Sequence, residues 1–355
     1  MIKNLSLNDK TQSYILNHLK GTHRLLEIAS NSDVEIILMA DGCPAHNITR
    51  MLDGHFTGTV TRILNPKVPF IPVGTTVNVC GVSIYKLRQQ ISVEDFKLRV
   101  YSAINSSPKP YTWNNFDRGN HFVSLMYSDG KSSLEEGQYL VVHASANEYR
   151  DQLYPYKGVW YEDQIKAVTL PDDSKRSLHY ITGATAEKFY ELAKKLIQFN
   201  RARNSDFCES ILKGISEREI LNIQHYGMPD ANTICIGVQW ETSGIVPLLT
   251  GPGKNIYLVK PAESTKYFPH GLGLEIYDGD IHYTKDGGIR IGTKTLYAQD
   301  SLSIGVDAFV RSDRTPVDIC VKGIIQKNPA YIVAELSQIA SISARGFEIW
   351  NDTNS

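Results

Sequence analysis

Residues 119–128 read GNHFVSLMYS. Asn120 and His121 stand directly before an apolar run that is too short for a helix and rich in the bulky residues of a buried strand. Polar residues at the mouth of such a strand are either edge polars or part of a reaction centre, and the rest of the chain has to decide which. The same pattern recurs in EIILMA (35–40), FIPVGTTVNVCGVSIYKL (70–87), QYLVVHAS (138–145), TICIGVQW (233–240), NIYLVK (255–260) and LSIGVDAFV (302–310). Each is a short apolar run bounded by Gly, Pro, Asn or Asp, the punctuation of a strand-rich protein.

Helical spacing is clearest over 184–203, ATAEKFYELAKKLIQFNRAR, where Phe189, Leu192, Leu196 and Phe199 share a face opposite lysines. Further helices are expected at about 8–30 and over 330–343, AYIVAELSQIASIS. The expected class is α+β, with mixed sheets flanked by helices. No Pro/Ser-rich linker divides the chain, so we read one domain over 1–355: an N-terminal helical segment (1–32), a core (33–345) and a short tail (346–355).

The 355 residues, 42% hydrophobic and 21% charged, suffice for a large core. A net charge of -1 leaves no global field to attract nucleic acid or an anionic membrane, so a polyanion would need a local patch. The N-terminus lacks the apolar stretch of a signal peptide, and no run approaches the roughly 18 apolar residues of a membrane span. Five scattered cysteines argue against a disulfide framework and for a reducing, cytoplasmic setting.

Histidine carries the most chemical information, as the commonest transition-metal ligand and an occasional nucleophile. Of the ten, His18 and His23 fall in the N-terminal amphipathic segment and are expected at the surface, whereas His121 and His143 each adjoin an apolar strand. Cys80 lies in the run TVNVCGVSIY with Asn78 two residues earlier; in a continuous strand the two would share a face. A thiolate, two imidazoles and an amide at strand ends can build a first-row metal site. Other candidates are Cys43 with His46 as extra ligands, the Gly-rich TGPGKN (250–255) as a phosphate cradle, and Asp278, Asp280 and His282 as a second cation site. For each of these an ordinary turn is the competing reading. The basic residues Lys194, Lys195, Arg201 and Arg203 offer a face for an RNA backbone.

Taken in order, these segments resemble the RtcB-type RNA ligases: MADGCPAH (39–46), FIPVGTTVNVCG (70–81), GNHF (119–122), LVVHASA (140–146), FNRAR (199–203), IQHYG (223–227), GIVPLLTG (244–251) with IYLV (256–259), PHGLG (269–273) and NPAYIVAELSQI (328–339). GNHF and HGxG are the most specific, and the shared order covers about residues 35–345. The resemblance implies an RtcB-like fold and a GTP- and Mn2+-dependent ligase (Zn2+ being the other candidate ion) joining RNA 3'-phosphate or 2',3'-cyclic phosphate ends to 5'-hydroxyl ends. It implies His270 as the nucleophile that carries GMP and Cys80, His121, His143 and Asn78 as metal ligands. Asn120, His225, Thr250, Gly251, Gly253 and Lys254 would meet the nucleotide. The chain departs from the family at Asn78, where the family has an aspartate, at Gly237, where we align a metal-binding histidine, at PLLTG in the nucleotide loop, and at Leu274 in place of an arginine. The alternatives are a non-catalytic relative that binds RNA or nucleotide, and a metal-dependent phosphoesterase acting on RNA ends.

Overall fold

A computed structural model describes residues 1–45, 48–113, 116, 120–155, 157–171, 173–276, 281–297 and 308–350. The run after His121 is a strand, Phe122–Ser128, at the centre of the largest sheet. The order across that sheet is Glu217–Gln224, Gly81–Leu87, Gly137–Ala144, Phe122–Ser128, Ala330–Ser343, Ile256–Pro261 and Val246–Leu248, every neighbour antiparallel. The sheet curls into a nearly closed barrel within a strand-rich α+β architecture. A second sheet orders Ile2–Asn4, Asp33–Cys43, Thr57–Leu64, Thr233–Ile236 and Tyr226–Asp230.

Alternation along the strands sorts the core into two layers. Val82, Ile84, Met126, Tyr139 and Val141 face one side and pack with Cys320, Val321 and Ile324 of helix Val317–Lys327. Tyr85, Leu87, Val123, Leu125, Leu140 and Val142 face the other, against Phe96 and Val100 of helix Val93–Asn105 and Phe207 and Ile211 of helix Ala184–Ile211. Burying each large side chain contributes about 1.5–3 kcal/mol. A slip of one residue would turn the whole set over, so the register is firmly set. The N-terminal helix, Lys10–Ser30, packs Ile15, Leu19 and Leu26 on Val34, Ile36 and Leu38. His18 and His23 are half-buried rather than superficial, because His18 meets the Ile281 carbonyl and His23 the Val34 carbonyl.

Four further expectations change. The segment 330–343 is a 14-residue strand, not a helix. Its Ile and Val content suits a pleated surface, and pairing with Ile256–Pro261 and Phe122–Ser128 outweighs the helical spacing of its Ala, Leu and Glu. The run 70–87 is not one strand: Phe70–Pro72, a 3-10 turn Val73–Thr75 and an irregular stretch precede Gly81–Leu87. Val79 lies in the left-handed region (φ 49°), so the alternation that would set Asn78 and Cys80 on one face is lost. The run 233–240 breaks at Gly237 (φ 66°) into Thr233–Ile236 and Val238–Gln239. The tail begins with a paired strand, Gly346–Ile349. Among the described residues no helix is long and apolar enough to cross a membrane.

Candidate metal centre and histidine–aspartate pair

Antiparallel order brings the starts of Gly81–Leu87 and Phe122–Ser128 to the same edge as the ends of Gly137–Ala144 and Glu217–Gln224. The register opposes Val82 and Phe122 to His143, and Gly81 to Gln224. Cys80, His121 and His225 each sit one residue beyond a paired position, and His143 is the penultimate residue of its strand. Residues far apart in sequence therefore meet at one end of the sheet.

Cys80 Sγ lies 3.2 Å from His143 Nε2 and 3.3 Å from His121 Nε2. His143 Nε2 lies 3.2 Å from His225 Nε2. The Nδ1 of His143 donates to the Asn120 carbonyl (2.9 Å), since a carbonyl can only accept. The Nε2 lone pair of the neutral ring is then free to face the cysteine and His225. Burial, then the neighbouring His121 and His270, hold His143 well below the usual histidine range. Burial, then His270 and His143, do the same for His225. Burial pushes the Cys80 thiol up to about 12, so a proton or a cation must neutralise its sulfur.

Two neutral imidazoles and a buried thiol, with ligand atoms within 4.8 Å of one another, fit a first-row metal ion. His121, half-buried and beside the same sulfur, stands at the solvent side. Asn78 keeps a buried Oδ1 with no hydrogen-bond partner among the described residues, and the left-handed Val79 that follows it breaks the alternation that would align it with Cys80. Asn120 is exposed and contributes its backbone carbonyl to the centre. His225 stands with Cys80 and His143.

His270 continues the row. Its ring stacks on His225 with centroids 4.9 Å apart and planes at 26°. Its Nδ1 lies 2.7 Å from Asp41 Oδ2, and Asp41 is fully buried. A carboxylate can only accept, so Nδ1 carries the proton and Nε2 is left as the reactive atom. Asp41 lies where the register of strand Asp33–Cys43 against Thr57–Leu64 is irregular, which turns a polar side chain inward from an apolar strand. Asp41 gives no site signal in MADGCPAH, because Asp-Gly reads as a turn.

The 250–255 loop is a hairpin between Val246–Leu248 and Ile256–Pro261. Gly251 and Gly253 adopt positive φ (129° and 69°), and the Gly253 amide donates to the Gln338 side chain. The Thr250 hydroxyl donates to the Asn255 carbonyl. The Lys254 ammonium donates to the Ser312 carbonyl (2.6 Å) and hydroxyl (3.0 Å) and to Asp313 (2.8 Å). The loop connects to the site through the Leu249 amide, which donates to the His270 carbonyl (2.9 Å).

Cys43 is buried, with its thiol pushed up to about 12 by burial and then by Asp41. His46, Asp278, Asp280 and Gly119 of the GNHF motif lie outside the described residues. His282 belongs to a hairpin, Ile281–Tyr283 with Ile289–Ile291. Of the basic helix face, Lys194 and Arg201 pair with Glu191 and Glu241. Arg203 is buried against Glu148 and does not face solvent. A surface hollow of about 520 Å³ is lined by Pro66, Phe70 and Tyr190 and by none of the site residues.

No protein-family model matches the chain, and no curated protein matches it in sequence.

Proposed function

We propose that the chain is a divergent RtcB-like enzyme of RNA ends, a GTP-dependent 3'-phosphate/5'-hydroxyl ligase with a metal centre at Cys80, His143 and His225. One observation carries the reading: His270, anchored on buried Asp41 at 2.7 Å, stacks directly on His225 of the metal-competent cluster. A nucleophile with one nitrogen fixed by a carboxylate, beside a divalent ion, is the arrangement that phosphoryl chemistry uses.

When bound, Mn2+ or Zn2+ would neutralise phosphate charge and help orient the reacting groups. A thiolate–imidazole set binds zinc more tightly than manganese, so manganese would be selected by availability. Asp41 holds the proton on Nδ1, and Nε2 of His270 attacks the α-phosphorus of GTP. The bond from that phosphorus to the bridging oxygen breaks, and pyrophosphate leaves. GMP on His270 then passes to the RNA 3'-phosphate, and the 5'-hydroxyl oxygen displaces GMP as the phosphodiester forms. Activating the phosphate with a leaving group divides a difficult displacement into easier steps.

A second reading, a metal-dependent phosphoesterase of RNA ends, is favoured by the 250–255 hairpin, where Lys254 is held by Asp313 and Ser312. Incubation with Mn2+ and GTP labelled at the α-phosphate, followed by an alkaline denaturing gel, separates the two. The ligase reading expects label on the protein that His270→Ala abolishes. A metal-loaded protein that takes no label contradicts it and leaves the phosphoesterase.

A further inference from the structure

We propose that Asn200 is the positioning residue of the metal centre, holding the three ligand-bearing segments in place through one side-chain amide. The inference rests on reading Cys80, His143 and His225 as a metal site. Asn200 is fully buried on the inner face of helix Ala184–Ile211. Its Nδ2 donates to the Val79 carbonyl at 2.8 Å and lies 3.4 Å from the Ala144 carbonyl. The same nitrogen lies 3.1 Å from the side-chain amide of Gln224. Val79 directly precedes Cys80, Ala144 directly follows His143, and Gln224 directly precedes His225. One amide therefore touches the chain next to every member of the cluster.

Three features make this contact more than helix packing. Val79 is a β-branched residue at φ 49°, a conformation that persists only where its surroundings over-determine it. The Asn200 hydrogen bond fixes the carbonyl of that residue, and with it the direction in which the chain presents the Cys80 sulfur. Next, the Gln224 amide, with its nitrogen turned to the carbonyls, donates to Val79 O (2.9 Å) and Cys80 O (3.2 Å), so Gln224 and Asn200 converge as two donors on the Val79 carbonyl while their own amide nitrogens only pack together. Finally, the Cys80 carbonyl accepts the His225 amide at 3.0 Å, which couples the two ligand segments directly. None of these bonds needs the ion, so the ligands are held together before it arrives. Supporting bonds of this kind set how tightly a site holds its ion.

The test uses the full chain and Zn2+ alone, competed against a chromophoric chelator. Wild type is compared with Asn200→Ala, Asn200→Asp and Cys80→Ser. Melting of the metal-free proteins is recorded alongside. Asn200→Asp keeps the shape and removes the donor, so it decides the question even if Asn200→Ala loosens the fold. We expect both Asn200 variants to bind Zn2+ about tenfold to a hundredfold more weakly, the affinities being compared at a temperature where metal-free melting shows each variant folded. Co2+ substitution should also show a shifted thiolate-to-metal band in Asn200→Asp. Unchanged Zn2+ affinity and an unchanged Co2+ band in Asn200→Asp, with binding lost in Cys80→Ser, would overturn the role of Asn200 and leave the site standing. Unchanged affinity in Cys80→Ser would overturn the metal site and the inference with it.

Discussion

Two histidine–aspartate pairs stand in this molecule with almost the same geometry. His270 Nδ1 lies 2.7 Å from Asp41, and His179 Nδ1 lies 2.8 Å from Asp53; both carboxylates are buried. The surroundings differ. Asp53 uses both oxygens on His179, one for the ring and one for the backbone amide at 3.2 Å. It thereby ties strand Asp173–Thr182 to the turn after helix Ile48–Leu52. The His179 side chain is 44% exposed. Asp41 keeps an Oδ1 with no hydrogen-bond partner among the described residues, and His270 is 12% exposed and stacked on His225. A saturated pair at the surface is a clamp. A pair buried beside a thiol and three further imidazoles has the setting of a reaction centre, so function is read from the neighbours rather than from the pair.

The comparison breaks or holds on paired substitutions. His270→Ala should lower GMP labelling of the protein by at least about a thousandfold, while His179→Ala leaves it within about twofold. Equal losses would erase the distinction between the pairs. Asp41→Asn presents an amide to His270 Nδ1 and favours the tautomer whose Nε2 carries the proton. Labelling rate should then fall by about a hundredfold to ten-thousandfold. Asp53→Asn should leave the rate near wild type and lower the melting temperature instead.

The smallest effect is a pH dependence. The hydrogen bond to Asp53, opposed by partial burial, raises the His179 pKa above its usual 6.5. A raised histidine pKa means stability that is fully present below 6.5 and lost as the pH rises through the folded value. Asp53 is also raised from 3.8, chiefly by burial, so its contribution runs in the same direction at lower pH. Because His179 is partly exposed, solvent screens the pair. Measured against His179→Gln, which keeps the opposite contribution of the buried histidines His143 and His225, the melting temperature of wild type should fall by about 2 °C or less between pH 6 and 8.5. A wild-type melting temperature that rises relative to His179→Gln over the same range would contradict the assignment.

Much of the strand framework was legible because alternation and turn residues are local signals: the runs at 35–40, 122–128, 138–144 and 255–260 all form strands. Segment 330–343 was misread because its sequence satisfies helical and strand patterns alike, and the choice is made by two neighbouring strands that lie far away in sequence. Within the site, Cys80, His121 and His143 were visible as polar residues at strand ends. His225 could be read only as a neighbour of the centre or a loop histidine, and Asp41 not at all. His225 joins the cluster through a junction between two sheets, and Asp41 turns inward at a register irregularity; neither is written in spacing. Asn200 was visible only as part of FNRAR, because its role depends on two carbonyls contributed by distant segments.

Metal content tests the central claim most directly. The purified chain is exposed to excess Zn2+ or Mn2+, desalted and analysed for bound metal beside Cys80→Ser/His143→Ala and His179→Ala. The account predicts about one tightly held ion per chain in wild type and in His179→Ala, and almost none in the double variant. A wild-type protein that retains no ion, or a double variant that retains as much as wild type, would contradict it.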